Sequence, residues 1–156
     1  DGIIALMLLS EAAAYYKKQG LTLWDNMQNM YKKYGYYQEN QVSIVLEGAD
    51  GAQKIKNMME NVRNNPPKAI GKYKILKFRD YLNGTIKDYN TEEINKVELP
   101  KSNVLYFELE NDFWCCMRPS GTEPKIKFYM GATGENIEDA KNKVNEVTEG
   151  MKELMK

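Results

Sequence analysis

Arg118, Ser120, Gly121 and Thr122 fall within five positions, in the stretch "RPSGTEPK". Their types suit the capture of a small anion. A guanidinium can bind two oxygens of a phosphate at once, and each hydroxyl adds a donor. Gly121 lets the backbone come close to a ligand and expose its N–H groups. Pro119 and Pro124 stiffen both ends, which lowers the entropy lost on binding. Lys125 adds positive charge nearby, while Glu123 opposes the scheme unless it points away or meets a base. The same residues also make an ordinary polar turn between two strands, so residue types alone leave both readings open.

The rest of the composition narrows the chemistry. There is no histidine among the 156 residues, which removes the commonest general base and zinc ligand. The 22 basic and 22 acidic side chains cancel. That balance argues against nucleic acid as a partner, because such binding needs a basic field. Hydrophobic residues make up 42%, enough for a packed core. Cys115 and Cys116 are adjacent. Neighbours in a strand point to opposite faces, so the two are badly placed to bond to each other. Two isolated thiols suit a reducing cytoplasm. The apolar opening "GIIALMLL" is too short to span a membrane, and the chain starts, without Met, inside what reads as a helix. It is expected to be part of a longer protein.

Several elements must position the 118–125 loop. "DGIIALMLLSEAAAYYKKQG" predicts a helix capped by Asp1 and ended by Gly20; its first half is apolar all round and should be buried. "TLWDNMQNMYKKYG" predicts a second helix, with Thr22 and Asp25 as a capping box. "QVSIVLEG" is a short β-like run. "ADGAQKIKNMMENVRNNPP" predicts a third helix with Ile55, Met58, Met59 and Val62 in one stripe. "KYKILKFRDYLNGTI" is strand-like, with Tyr73, Ile75 and Lys77 on one side and a turn at Asn83–Gly84. The tract 85–100 reads as loop. "SNVLYFELEND", "FWCCM" and "KIKFYMGA" alternate as strands, with Leu105, Phe107, Leu109, Ile126, Phe128 and Met130 facing inward. "NIEDAKNKVNEVTEGMKELM" predicts a closing helix capped by Asn136, its apolar face running from Ile137 through Ala140, Val144, Val147 and Met151 to Leu154. Met27, Met30, Met58, Met59, Met151 and Met155 read as core filler. The order predicts an α+β domain, an antiparallel sheet covered on one face by two helices.

"RPSGTEPKIKFY" resembles the C-terminal phosphate-binding loop of the α-D-phosphohexomutases, the phosphoglucomutase/phosphomannomutase family. "LPKSNVLYFELENDFWCCMRPSGTEPKIKFY" is similar to the bacterial phosphoglucomutases in particular, and "DGIIALMLLSEAAAYYKKQG" to the end of the third domain of such enzymes. The resemblance implies that residues 1–38 close the third domain and residues 39–156 form the fourth, a small TATA-binding-protein-like domain. It implies that Arg118, Ser120, Gly121, Thr122 and Lys125 hold the phosphate of a hexose phosphate. The family moves a phosphoryl group between C1 and C6, using a phosphoserine and a Mg²⁺ held by an Asp-rich loop in other domains. Here the serines are Ser10, Ser43, Ser102 and Ser120, and none lies in a catalytic-serine motif; no Asp-Gly-Asp metal loop occurs. The expectation is therefore a cytoplasmic isomerase region that binds hexose phosphate but no metal, meets the other domains of its polypeptide, and is inactive alone. A phosphoglucosamine mutase region, or a non-catalytic module that binds an anion or a protein, are the alternatives.

Overall fold

The computed structural model describes residues 1–48 and 50–154. They form two compact units, Asp1–Tyr36 and Tyr37–Lys156. The first holds two helices, α1 (Gly2–Lys17) and α2 (Leu23–Tyr34). The Asp1 carboxylate accepts the Ile3 N–H at 2.9 Å, so α1 starts where its cap predicts. At α2 the capping box is complete despite its Asp: Asp25 N–H donates to Thr22 Oγ1, and Thr22 N–H donates to the Asp25 carboxylate at 2.8 Å. The burial expected of α1 is not found. Ile3 is 72% and Leu6 64% exposed, because two short helices cannot cover a helix that is apolar on every side. Met27 and Met30 are exposed as well, which corrects their reading as core.

The second unit is built on β1 (Tyr36–Val45), α3 (Gly51–Asn64), β2 (Ala69–Ile70), β3 (Tyr73–Asp80), β4 (Thr85–Asp88), β5 (Ile94–Lys96), β6 (Leu105–Leu109), β7 (Trp114–Pro119), β8 (Lys125–Gly134) and α4 (Ile137–Glu153). The eight strands form one sheet in the order β1-β8-β7-β6-β3-β4-β5, with β2 paired to β3. The pairings from β2 to β8 are antiparallel. One face carries the core. Leu105, Phe107, Leu109, Cys115, Met117, Ile126, Phe128 and Met130 point into it, each at most 1% exposed. Ile55, Met59 and Val62 of α3 and Val144, Val147 and Met151 of α4 pack on them. This is the α+β sheet with two helices on one face that the element order implies. Met155 lies outside the described residues, as does Ala49 ahead of α3.

Four differences from the sequence reading have physical causes. β1 begins five residues before "QVSIVLEG", and its inward positions include polar Gln38 and Asn40. Asn40 belongs there because its amide donates to Thr148 Oγ1 on α4 at 3.1 Å. Two short strands, β4 and β5, occupy the tract read as loop; their register Thr85↔Lys96 to Lys87↔Ile94 carries a single apolar residue on each face, Ile86 and Ile94, so no alternation marked them. In β3 the register shifts between Ile75 and Lys77. This bulge reverses the alternation, so that Tyr73 and Ile75 face the core, Lys77 does not, and Phe78 and Asp80 do. Asp80, 2% exposed, is tolerated because Arg63 and the Asn83 side chain donate to it, at 3.1 and 2.6 Å, which satisfies a buried charge.

Two glycines allow α4 to sit down on the sheet. A Cβ on Gly150 would stand 2.4 Å from the backbone nitrogen of Gly71, which itself has φ +54°. Backbone meets backbone there: Gly150 has no room for a side chain, while at Gly71 it is the positive φ, not the space, that disfavours one. Beside it Lys72 and the Tyr73 hydroxyl both bind Glu146 of α4.

Candidate phosphate-binding site

β7 delivers Arg118 to the end of the sheet, and β8 leaves from Lys125. The connection is closed by Ser120 N–H donating to the Lys125 carbonyl at 2.7 Å. Within it, Lys125 N–H donates to the Glu123 carbonyl at 2.7 Å, and Thr122 N–H donates to Ser120 Oγ at 3.4 Å. Alternation sets the side chains. Cys115 and Met117 go to the core, so Cys116 and Arg118 go to the open face. Arg118 stands opposite Lys127 across β7 and β8, and Cys116 stands opposite Tyr129.

The result is a depression of about 270 Å³ lined by Arg118, Pro119, Ser120, Gly121, Thr122, Lys127 and Tyr129. Four residues singled out in the sequence, Arg118, Ser120, Gly121 and Thr122, come together in it. Lys125 does not line it; its ammonium lies 4.0 Å from the Glu123 carboxylate. Lys127 and Tyr129 were not anticipated. The period-2 pattern of "KIKFY" carried the signal, because it puts Lys127 on the face that Arg118 takes. Among the described residues neither Arg118 nor Lys127 is in a salt bridge, whereas Arg63, Arg79 and Lys125 are. Two uncompensated cations at one end of a sheet attract an anion.

The conformation of Gly121 bears on its role. Its φ lies outside the left-handed range, and a Cβ there would meet nothing within 4 Å. Nothing in the fold itself calls for glycine at this position.

A second hollow, of about 340 Å³, lies on the core side of the same loop, between α3 and residues 119–124. Its floor is apolar, and its cations are already engaged, Lys56 with Glu60 and Arg63 with Asp80. It lacks the free positive charge of the first.

The two cysteines behave as separate thiols. Cys115 is fully buried, and burial raises its pKa well above the ordinary value. Cys116 is raised to about 11 by burial, which outweighs the lowering from the Tyr129 backbone and from nearby Arg118. Near pH 8 only about one Cys116 in a thousand is thiolate. Alkylation of the folded chain by iodoacetamide should therefore be slow at pH 8 and keep accelerating through pH 10. A rate that levels off below pH 9 would refute this. Among the described residues no group of three or more His, Cys, Asp or Glu side chains gathers to hold a metal, and no helix is long and apolar enough to cross a membrane.

No protein-family model matches the chain. It is 35% identical over 139 residues to the phosphoglucomutase of Staphylococcus saprophyticus, covering 89% of this chain and 25% of that protein. It is 32% identical over 145 residues to the phosphoglucomutase of a Staphylococcus aureus strain, covering 93% of this chain and 26% of that one. Among solved structures, the open form of the Paramecium phosphoglucomutase parafusin aligns over 97% of this chain and 27% of its own, with 14% identity and a TM-score of 0.49. The chain thus spans about a quarter of the length of the curated relatives it matches. Over that quarter it is similar to a C-terminal part of these enzymes. Both bacterial relatives named above are phosphoglucomutases.

Proposed function

We propose that this chain is the phosphate-gripping C-terminal region of a cytoplasmic phosphoglucomutase/phosphomannomutase, with residues 1–38 ending the third domain and 39–156 forming the fourth. The grip holds the phosphate of a hexose phosphate while a phosphoryl group moves between C1 and C6. Arg118 supplies the fork of donors, Ser120 and Thr122 their hydroxyls, and Gly121 its backbone N–H. Lys127 adds charge from β8, and Lys125 contributes at longer range. The phosphoserine and the Mg²⁺ that drive the transfer belong to other domains of the polypeptide, so this region binds without catalysing. A grip of this kind needs donors and no general base, which suits a chain without histidine.

The observation that carries this reading is the convergence of Arg118 and Lys127, both without an acidic partner among the described residues, on the depression lined by Ser120, Gly121 and Thr122. The glycine adds support. Its fold makes no demand for it, while a ligand drawn against the backbone would. An amide NMR titration of the chain with glucose 1-phosphate, with glucose as control, tests it. Shifts confined to residues 118–129, seen with the phosphate and absent with glucose, are expected. Equal responses to both ligands, or none to either, would overturn the assignment.

A further inference from the structure

We propose that Glu123 is a positioning residue: by pairing with Lys125 it keeps a third cation off the bound anion, so that the loop can release a phosphate ester as well as hold it. The proposal rests on the phosphate-binding reading above. Two features of the loop call for an explanation of this kind. An acidic residue stands in a run of anion donors, and a lysine on the right face of the sheet stays out of the depression.

Lys125 is placed to reach the anion. The register of β7 and β8 runs Arg118↔Lys127 and Pro119↔Ile126. One step further it sets Lys125 opposite Ser120, and there the Ser120 N–H donates to the Lys125 carbonyl at 2.7 Å. Alternation in β8, with Ile126 and Phe128 in the core, turns Lys125 to the same open face as Lys127. The two lysines are two strand residues apart, roughly 7 Å. Ser120 and Lys127 line the depression, and Lys125 does not.

Glu123 accounts for the difference. Its carboxylate lies 4.0 Å from the Lys125 ammonium, and its side chain borders the hollow on the core side of the loop, not the depression. Lys125 N–H also donates to the Glu123 carbonyl at 2.7 Å, so the backbone keeps the two residues together. At this separation, with the Glu123 side chain 64% exposed, the ion pair is weak. Opening it requires only that the flexible four-carbon stem of Lys125 swing. With the pair closed, Arg118 and Lys127 are the cations that face a phosphate ester; with it open, Lys125 joins them. A sugar that exchanges a phosphoryl group between C1 and C6 must be let go by one end and held by the other. A restrained grip serves that exchange better than the tightest one.

NMR titration with glucose 1-phosphate of the native chain, Glu123→Gln, Lys125→Ala and the double variant tests the coupling. Glu123→Gln keeps the size of the side chain, removes its charge and should tighten binding about three- to tenfold. In the Lys125→Ala background the same change should tighten it by less than about twofold, because solvent screens a carboxylate that acts only at a distance. The Lys125 Cε signal should also move further with ligand in Glu123→Gln than in the native chain. If Glu123→Gln does not fold, Glu123→Ala takes its place. Equal gains in both backgrounds would show that Glu123 merely repels the anion, and no gain would show that the pair restrains nothing. Either result would overturn the proposal and leave the phosphate grip standing. A native chain that does not respond to glucose 1-phosphate would remove the phosphate reading, and this one with it.

Discussion

Replacing Arg118 with alanine should abolish the response of residues 118–129 to glucose 1-phosphate at concentrations where the native chain responds. Hydrogen bonds from a charged donor contribute on the order of 1.5–3 kcal/mol, so the affinity should fall by about ten- to a hundredfold. Arg118 is exposed, which argues against a larger figure, because solvent screens its charge. Two further results follow. Arg118→Lys should recover only part of the loss, since it keeps the charge but not the fork. Added salt should weaken the native chain more than the Arg118→Ala chain, which has less charge to screen. An Arg118→Ala chain that titrates like the native one would remove Arg118 from the site.

The largest effect on stability is expected one residue away from the site. Phe128 is fully buried between Lys127 and Tyr129, which both face the depression. Phe128→Ala should lower the unfolding free energy by about 3–5 kcal/mol, from lost burial and the cavity left behind. That is a large share of the roughly 5–15 kcal/mol that holds a domain together. Tyr129→Ala, on the half-buried side of the same strand, should cost less than about 1 kcal/mol. Urea denaturation of the three chains makes the comparison. Equal losses for the two substitutions would contradict the assignment of faces in β8.

The parts of this fold legible in the sequence are those where one physical demand acts alone. β6 and β8 must bury one face and wet the other, so Leu105, Phe107 and Leu109, and Ile126, Phe128 and Met130, alternate visibly. α3 must bury a stripe, and its Ile55–Val62 spacing records it. Where two demands compete, the pattern fades. β1 carries Asn40 inward because a partner on α4 satisfies it, and a hydropathy pattern does not register a partner 108 residues away. β4 and β5 are held by backbone bonds and bury little. α1 shows the reverse failure, since its apolar surface predicted a burial that its own unit does not provide. The site divides the same way. Arg118, Ser120, Gly121 and Thr122 are adjacent in sequence and could be read together. Lys127 and Tyr129 enter through cross-strand register, which a linear reading does not display.

The bulge in β3 has a consequence for how this strand can change. Its two halves keep separate accounts of which side is inside: Tyr73 and Ile75 belong to one, Phe78 and Asp80 to the other. A substitution in either half is a local event, judged by size and polarity at one place. Loss of Leu76 itself would be local too. With it gone, Ile75, Lys77 and Phe78 would still stand against Leu109, Glu108 and Phe107, and the strand would alternate without a break, so both halves would keep their faces. Among descendants of this sequence, the bulge is therefore the place where β3 should tolerate the loss of one residue.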